Sequence, residues 1–321
     1  MAVYTEVPED EMAAFVARYD IGDLLAVKGI AEGVSNSNFL LHTSKAFFIL
    51  TLYEERTETE DLPFFIGLME HLARRGLNCP LPVKMRDGQA VGHLAGRPAA
   101  IVTFLDGISV KRPNANHCAE VGKALAHLHE AGADFGMERV NSLSVPSWRP
   151  FVEQAGEAAN TVSPGLAQRI LAEVEVHERS WPGDLPRGVI HADLFPNNVF
   201  FINGKLSGLI DFYFACTDTF AFDIATCLNA WCFEADSSFN MTKGQALLAG
   251  YESVRRLEQA EVDALPQLCR GAALRFLLTR LVDWLNVPPG ALVKPHDPLE
   301  YDRKLIFHQH AKDARDYGLK R

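Results

Sequence analysis

One segment limits what this chain can fold into. Over the later two thirds of the sequence, apolar residues recur mostly at helical spacing. The stretch "VIHADLFPNNVFFINGKLSGLIDFYFA", residues 189–215, does not. Short apolar runs alternate there with polar breaks, and the breaks carry His191, Asp193, Asn197, Asn198 and Asp211. Such alternation marks strands and turns rather than helix. A fold for this sequence must therefore hold a β-rich loop segment within a helical half.

The first hundred residues read differently. "PEDEMAAFVAR" (8–18) predicts a helix, with Pro at its start, acids in the first turn and Arg at the end. Residues 24–30, 37–43 and 46–53 are short strand candidates that suit an antiparallel meander. Residues 59–75 place Leu62, Phe65, Ile66, Met69 and Leu72 at helical spacing, and residues 86–104 read as a further hairpin. Residues 119–132 then begin a helical series that recurs at about 150–178, 219–233, 243–257, 261–286 and 298–315. The expected fold class is α+β: a small antiparallel-sheet lobe, residues 1–104, followed by a larger, mostly helical lobe, residues 105–321. "FLDGIS" (104–109) is the natural linker. The length of 321 residues agrees with two lobes, because single cores stop growing near roughly 250–300 residues.

Composition narrows the class. At 48% hydrophobic and 22% charged the chain is ordinary globular protein. Its net charge of −10 is unlike that of a nucleic-acid binder. The six Cys form no CxxC pair and no zinc spacing, so reduced, mostly buried thiols are expected. The N-terminus lacks the apolar core of a signal peptide, and no stretch approaches the ~18 apolar residues of a membrane span. The expectation is a soluble, cytoplasmic protein with neither a membrane nor a nucleic acid as partner.

The polar residues of 189–215 have a chemistry of their own. Asn203-Gly204 is a strong two-residue hairpin signal. A hairpin there would return Asp211, eighteen residues after Asp193, toward Asn198. Carboxylate and amide oxygens suit a hard divalent cation such as Mg²⁺, which takes one or two carboxylates plus substrate phosphates. Asn198 and Asp211 are the candidate ligands. Asp193 is then available to accept the proton of an attacking hydroxyl. His191 has the simpler task of holding the loop by hydrogen bonds. The bland alternative is a set of turns with chance Asp and Asn.

His191-x-Asp193-x-x-x-x-Asn198 followed by "LIDFYFA" resembles the catalytic and metal-binding loops of the protein-kinase superfamily. It is closer to the aminoglycoside phosphotransferase and choline kinase branch, with "HGDLxxxN" and "IDxxxA". Ala192 departs from the family's Gly. The resemblance implies a two-lobed protein-kinase-like fold, ATP and Mg²⁺ as cofactors, and a small-molecule substrate. It also implies site residues. Asp223 in "TDTFAFDIA" would steady the catalytic loop, although it also suits a helix N-terminus. Phe104 and Leu105 would meet adenine from the hinge, if that segment is more than a linker. Backbone amides of Ser35, Asn36, Ser37 and Asn38 would cradle phosphates, if that segment is more than a hairpin turn. Thr51 stands where the family usually places Lys or Arg, with Glu60 or Glu58 as the acid partner, so Lys45 or Arg56 would have to reach in, or metal and backbone carry the load.

"FFILTLYEERTETEDLPFFIGLMEHLARRGLNCPLPV" resembles one subgroup of that branch, kinases whose acceptor is L-homoserine, a substrate on the way to threonine. There Thr in "LTL" is usual. A zwitterionic acceptor needs a cation for its carboxylate, for which Arg275 or Arg280 on "RGAALRFLLTRLVDWL" are candidates, either also serving as a structural Arg–Asp partner. Tyr213 and Trp231 would wall the pocket or be ordinary core aromatics. The alternatives are a kinase of another small hydroxyl compound, of the aminoglycoside, choline or methylthioribose type, and a non-catalytic nucleotide-binding regulator.

Overall fold

The computed structural model describes residues 5–30, 36–54, 58–287 and 295–320. The chain forms two compact units. One comprises Met1–Gly107 with Ser207–Tyr213, and the other Ile108–Leu206 with Phe214–Arg321.

The first unit opens with helix α1, Glu9–Val16, whose first turn carries Glu9, Asp10 and Glu11 against the positive end of the helix dipole. Strands β1 (Leu24–Gly29), β2 (Ser37–Thr43) and β3 (Phe47–Leu52) follow, then helix α2 (Leu62–Arg74) and strands β4 (Pro82–Val83), β5 (Val91–Leu94) and β6 (Arg97–Thr103). The sheet runs β1-β2-β3-β6-β4, with β5 also on β6, and every pairing is antiparallel. In β2, Ser37, Phe39, Leu41 and Thr43 are buried in alternation, the period-two signature of a strand with one packed face. Phe39, Leu41, Leu50 and Ile101 close a core with Phe15 and Val16 of α1. Helix α2 buries Leu62, Phe65, Ile66, Met69 and Leu72, as the spacing predicts, together with Phe64 and Leu68.

Ser207–Tyr213 belongs to this unit because hydrogen bonds tie it there. The Leu209 amide donates to the Asn78 carbonyl (3.0 Å), the Asn78 side chain donates to the Ser207 carbonyl, and Ser207 Oγ donates to the Asp106 carbonyl (2.9 Å). Asp211 is thus carried in the first unit, whereas the sequence suggests that everything after residue 104 lies in the second.

The second unit contains helices α3 (Ala115–Ala131), α4 (Val145–Ala155), α5 (Ala159–Val162) and α6 (Leu166–Ser180). It continues with strands β7 (Arg187–Ile190) and β8 (Val199–Ile202), followed by β9 (Lys205–Leu209), which carries the chain into the first unit. Strand β10 (Cys216–Thr219) and helices α7 (Phe220–Trp231), α8 (Met241–Glu252), α9 (Gln259–Leu285) and α10 (Leu299–His310) complete it. The helix expected over 150–178 is broken into three, because Gly156 and Gly165 take positive φ (48° and 72°) around Ser163-Pro164. Helix α9 forms the axis of the core: Ala273, Leu274, Leu277, Leu278 and Leu281 pack with Trp148 of α4, Ile170 and Val174 of α6, and Tyr301 and Leu305 of α10. Helices α3 and α8 approach backbone to backbone. A Cβ on Gly122 would fall 2.0 Å from the Leu247 carbonyl oxygen, and one on Gly250 would fall 2.1 Å from that of Ala119. Strands β7 and β10 pair antiparallel, with Ile190 opposite Cys216, and so close the base of the loop segment singled out above. The six Cys are buried free thiols. Among the described residues no helix is long and apolar enough to cross a membrane.

His177 sits in this core between Trp148 and Trp181, its ring 5.3 and 5.4 Å from theirs. It is fully buried, and neither ring nitrogen has a hydrogen-bond partner among the described residues. Burial lowers its pKa to about 4. A base whose folded pKa lies below its unfolded value of about 6.5 opposes folding as pH falls through that window. His177 should therefore remove about 2 kcal/mol of stability between pH 7 and pH 5. Replacing it by Leu should shrink the drop in urea-unfolding free energy between those pH values by about that amount. An unchanged drop would assign the acid sensitivity to other groups.

Candidate active site

Residues 191–198 leave strand β7 as a loop whose backbone is tied to one carboxylate. Asp223, in the first turn of α7 and fully buried, accepts from the His191 amide at Oδ2 (2.7 Å) and from the Ala192 amide at Oδ1 (2.9 Å). Between them the chain turns through φ +62° at Ala192. That is the left-handed region, where Gly is free of cost and any residue with a Cβ pays about 1–2 kcal/mol. The family's Gly thus answers to a backbone requirement, and Ala, the smallest side chain, meets it at some strain.

A second chain of bonds holds Asp223. His129 of α3 has Nε2 3.2 Å from Asp223 Oδ2 and Nδ1 2.8 Å from the Tyr251 hydroxyl. A carboxylate only accepts, so Nε2 carries the proton and Nδ1 accepts from Tyr251. Burial keeps His129 below its ordinary pKa against the pull of Asp223, and the ring is neutral. Arg255 donates to the same Tyr251 hydroxyl (3.1 Å) and forks onto Glu261, both contacts at 3.0 Å. Burial alone would raise the Asp223 pKa, but the hydrogen bonds from His129 and from the His191 amide outweigh it, and the carboxyl lies below its usual range. His129, Tyr251, Arg255 and Glu261 are not evident from motifs. The one available signal is that His129 interrupts the apolar stripe of Val121, Leu125 and Leu128 on α3.

With the loop held, Asp193 presents a half-buried carboxylate. Its amide donates to His191 Nδ1 (3.3 Å), a local contact of the kind expected of His191. Asn198, 3% exposed, donates from Nδ2 to the Asp193 carbonyl (2.8 Å), and its Oδ1 accepts from Asn197 Nδ2 (3.1 Å). Trp231 has the burial of a core aromatic. It is 1% exposed and donates from Nε1 to the Leu194 carbonyl (2.7 Å), bracing the loop from α7. Arg275 lies with Nη1 3.8 Å from Asp193 Oδ1, its guanidinium over the ring of Phe276. Arg280 is engaged elsewhere, 2.7 Å from Glu300. Asn203 and Gly204 both take positive φ, 51° and 76°, as a type I′ hairpin turn between β8 and β9 requires.

In the first unit, Asp211 also takes a left-handed backbone, φ +66°. Burial raises its carboxyl to about 6, against a hydrogen bond from the Tyr213 amide. Tyr213 packs edge-on against Tyr53 and Phe65, its hydroxyl 3.3 Å from that of Tyr53 and bonded to Thr51. Thr51 is 2% exposed and donates to Asn38 Oδ1 (2.7 Å). Ser37 and Asn38 are strand residues opposite Leu52 and Thr51. The Ser37 hydroxyl donates to Glu54 (2.6 Å), and Asn36 Oδ1 accepts from the Glu54 amide (3.2 Å). Glu54 also meets Arg97 (3.3 Å), a charge pair not evident from the sequence. Lys45 cannot stand in for a base at position 51, because it is exposed and bound to Asp20 (2.7 Å). Glu60 is exposed in the turn before α2. Phe104 is 41% exposed and packs near Phe47, and Leu105 follows it half-buried. Ser35 and Arg56 lie outside the described residues.

An antiparallel sheet unit, a helical unit and a carboxylate loop after β7 define a protein-kinase-like phosphotransferase fold. A profile of the phosphotransferase enzyme family matches residues 26–257, and the chain belongs to that family. It is 66% identical over 318 residues to a homoserine kinase of Methylobacterium radiotolerans, with 99% of both chains covered. Its identity to a homoserine kinase of Azorhizobium caulinodans is 65% over 319 residues, again with 99% of both covered. Solved structures share the fold at low identity. One is an amicoumacin kinase in complex with AMP-PNP and Ca²⁺ (TM-score 0.67, 15% identity, 94% of this chain and 92% of that one). Another is a microcompartment-associated aminopropanol kinase (TM-score 0.65, 17% identity, 97% and 98%).

The left-handed turn at a buried position makes Ala192 a sharp test. A β-branched residue at φ +62° is a genuine outlier. Ala192→Val should lose about 2 kcal/mol or more of unfolding free energy and at least tenfold in kcat. Ala192→Gly should keep both near the parent level, because relief of strain offsets the entropy of the added glycine. Equal behaviour of the two variants in urea unfolding and turnover would show that the backbone is not constrained there.

Proposed function

We propose that this chain transfers the γ-phosphoryl group of ATP to the hydroxyl of L-homoserine, giving O-phospho-L-homoserine and ADP, with Asp193 as the proton acceptor. The observation that carries this reading is the half-buried Asp193 carboxylate on a loop whose backbone is locked to Asp223. The relatives named homoserine kinase, matched over 99% of the chain, support the choice of acceptor.

Phosphoryl transfer asks the protein mostly for position and charge. Asp193 orients the acceptor hydroxyl and takes its proton as the new O–P bond forms and the bond from γ-phosphorus to the bridging oxygen breaks. Asn198 and Asp211 are the residues assigned to Mg²⁺. Each is a donor of the kind Mg²⁺ takes: Asn198 offers an amide oxygen, and Asp211 a carboxyl raised to about 6 by burial, to which a cation would supply counter-charge. When bound, the cation neutralises charge on the β- and γ-oxygens. Adenine is assigned to the backbone at Phe104 and Leu105, and phosphates to the segment ending at Asn38. Asp223 supports the loop, and Glu60, exposed before α2, is left as the weakest of the expected supports.

Two variants separate these roles. Asp193→Asn should lower kcat for homoserine by about 10²–10⁴-fold while calorimetry shows nucleotide binding intact. Retained turnover would remove the base from Asp193. Asp211→Ala should weaken Mg²⁺–nucleotide affinity itself, by roughly tenfold or more. An unchanged dissociation constant for the Mg²⁺ complex would take the cation away from Asp211.

A further inference from the structure

Helix α9 carries two arginines that could receive an anionic acceptor, and their surroundings separate them. Arg280 is satisfied by the protein: Nη1 lies 2.7 Å from Glu300 and 3.4 Å from the Asp297 carbonyl, and its guanidinium sits 4.5 Å from the Tyr301 ring. Arg275 is not. Its side chain is 5% exposed, and its guanidinium lies 3.9 Å from the ring centroid of Phe276 and 5.6 Å from that of Phe214. Aromatic faces attract the cation but offer its N–H groups no lone pair of carbonyl strength. Nη1 is buried with no hydrogen-bond partner among the described residues. Asp193 Oδ1 lies 3.8 Å from Nη1, near enough to attract the charge and too far for a hydrogen bond to that nitrogen.

We propose that Arg275 is a specificity-determining residue that binds the carboxylate of the acceptor while the acceptor's hydroxyl lies at Asp193. This rests on the reading of Asp193 given above. The spacing suits a short hydroxy acid. Three carbons separate the hydroxyl oxygen of homoserine from its carboxylate carbon, a span of about 4–5 Å with standard bond lengths. A molecule of that length reaches from one side of the Asp193–Arg275 pair to the other. The flanking rings hold the planar fork in place before the acceptor arrives, so little rotamer freedom is lost on binding. An acceptor without a carboxylate leaves the buried N–H unpaired, and a site built for a polar group rejects analogues that lack it far more strongly than an apolar pocket rejects a missing methylene. The acceptor's carboxylate also diverts the guanidinium charge from Asp193, which makes Asp193 a better proton acceptor when the right substrate is present.

The test compares L-homoserine with 3-aminopropan-1-ol, the same molecule with hydrogen in place of the carboxylate, by detecting the phosphorylated products. The parent enzyme should favour homoserine by about 10³-fold or more in kcat/KM. In Arg275→Met that preference should collapse to within about tenfold, and Arg275→Lys should fall between, because it keeps the charge and loses the fork. A preference that survives Arg275→Met, with both substrates slowed equally, would overturn the proposal and leave the homoserine kinase reading intact. A parent enzyme that phosphorylates no homoserine would overturn both. A measurement on the parent enzyme alone guards against a variant that fails to fold. By calorimetry, L-2-aminobutyrate, which keeps the carboxylate and lacks the hydroxyl, should bind at least about tenfold tighter than propylamine. Equal binding would refute a carboxylate receptor at this site.

Discussion

The arrangement of the catalytic loop depends on one buried carboxylate. Asp223 accepts two consecutive backbone amides and a neutral imidazole, and all three donors lie on elements distant in sequence. Hydrogen bonds to a charged group contribute about 1.5–3 kcal/mol each, and leaving such a group unpaired in the interior costs more than it contributes when satisfied. The loop therefore has one inexpensive conformation. That conformation includes a left-handed turn at Ala192, which the two amide bonds over-determine, and it is the turn that sets the direction in which Asp193 leaves the loop. Trp231 adds a bond to the Leu194 carbonyl from the far end of the same helix. Helix α7 thus grips the loop at both ends and carries none of the proposed chemistry.

Burial of charge has to be balanced as it moves outward from Asp223. His129 stays neutral and passes its second nitrogen to Tyr251, whose hydroxyl also accepts from Arg255, and Arg255 is neutralised by Glu261 at the start of α9. The close crossing of α3 and α8 at Gly122 and Gly250 is part of the same device, because it brings Tyr251 within reach of His129.

Much of this was legible in the sequence, and the exceptions have physical reasons. The strands of the first unit, the amphipathic face of α2 and the Asn203-Gly204 turn follow from local periodicity and backbone preference, which a single sequence records. Asp193 and Asn198 stand out by their spacing, and Asp223 by the resemblance of "TDTFAFDIA". The breaks among α4, α5 and α6 were missed because Gly156 and Gly165 interrupt a helical pattern without disturbing its apolar spacing. The role of Trp231 stayed open between pocket wall and core aromatic, because a buried aromatic with a bonded N–H and one facing a ligand have the same sequence signature. The Arg255–Tyr251–His129 chain joins residues more than a hundred positions apart and has no local pattern.

Thr51 is where local resemblance and structure diverge most usefully. A cation at this position would contact phosphate, and a neutral hydroxyl reads as a loss. The hydroxyl is instead fully employed: it donates to Asn38 across the β2–β3 pair and meets the hydroxyl of Tyr213. Tyr213 is fixed in turn by Tyr53 and Phe65, and its amide bonds the Asp211 carboxylate. Strand β3 thereby positions the segment that carries the carboxylate assigned to the cation. A lysine at 51 would bring a charge into a 2% exposed site and remove one of the partners of the Tyr213 hydroxyl. Thr51 is better understood as support for Asp211 than as a degraded nucleotide contact.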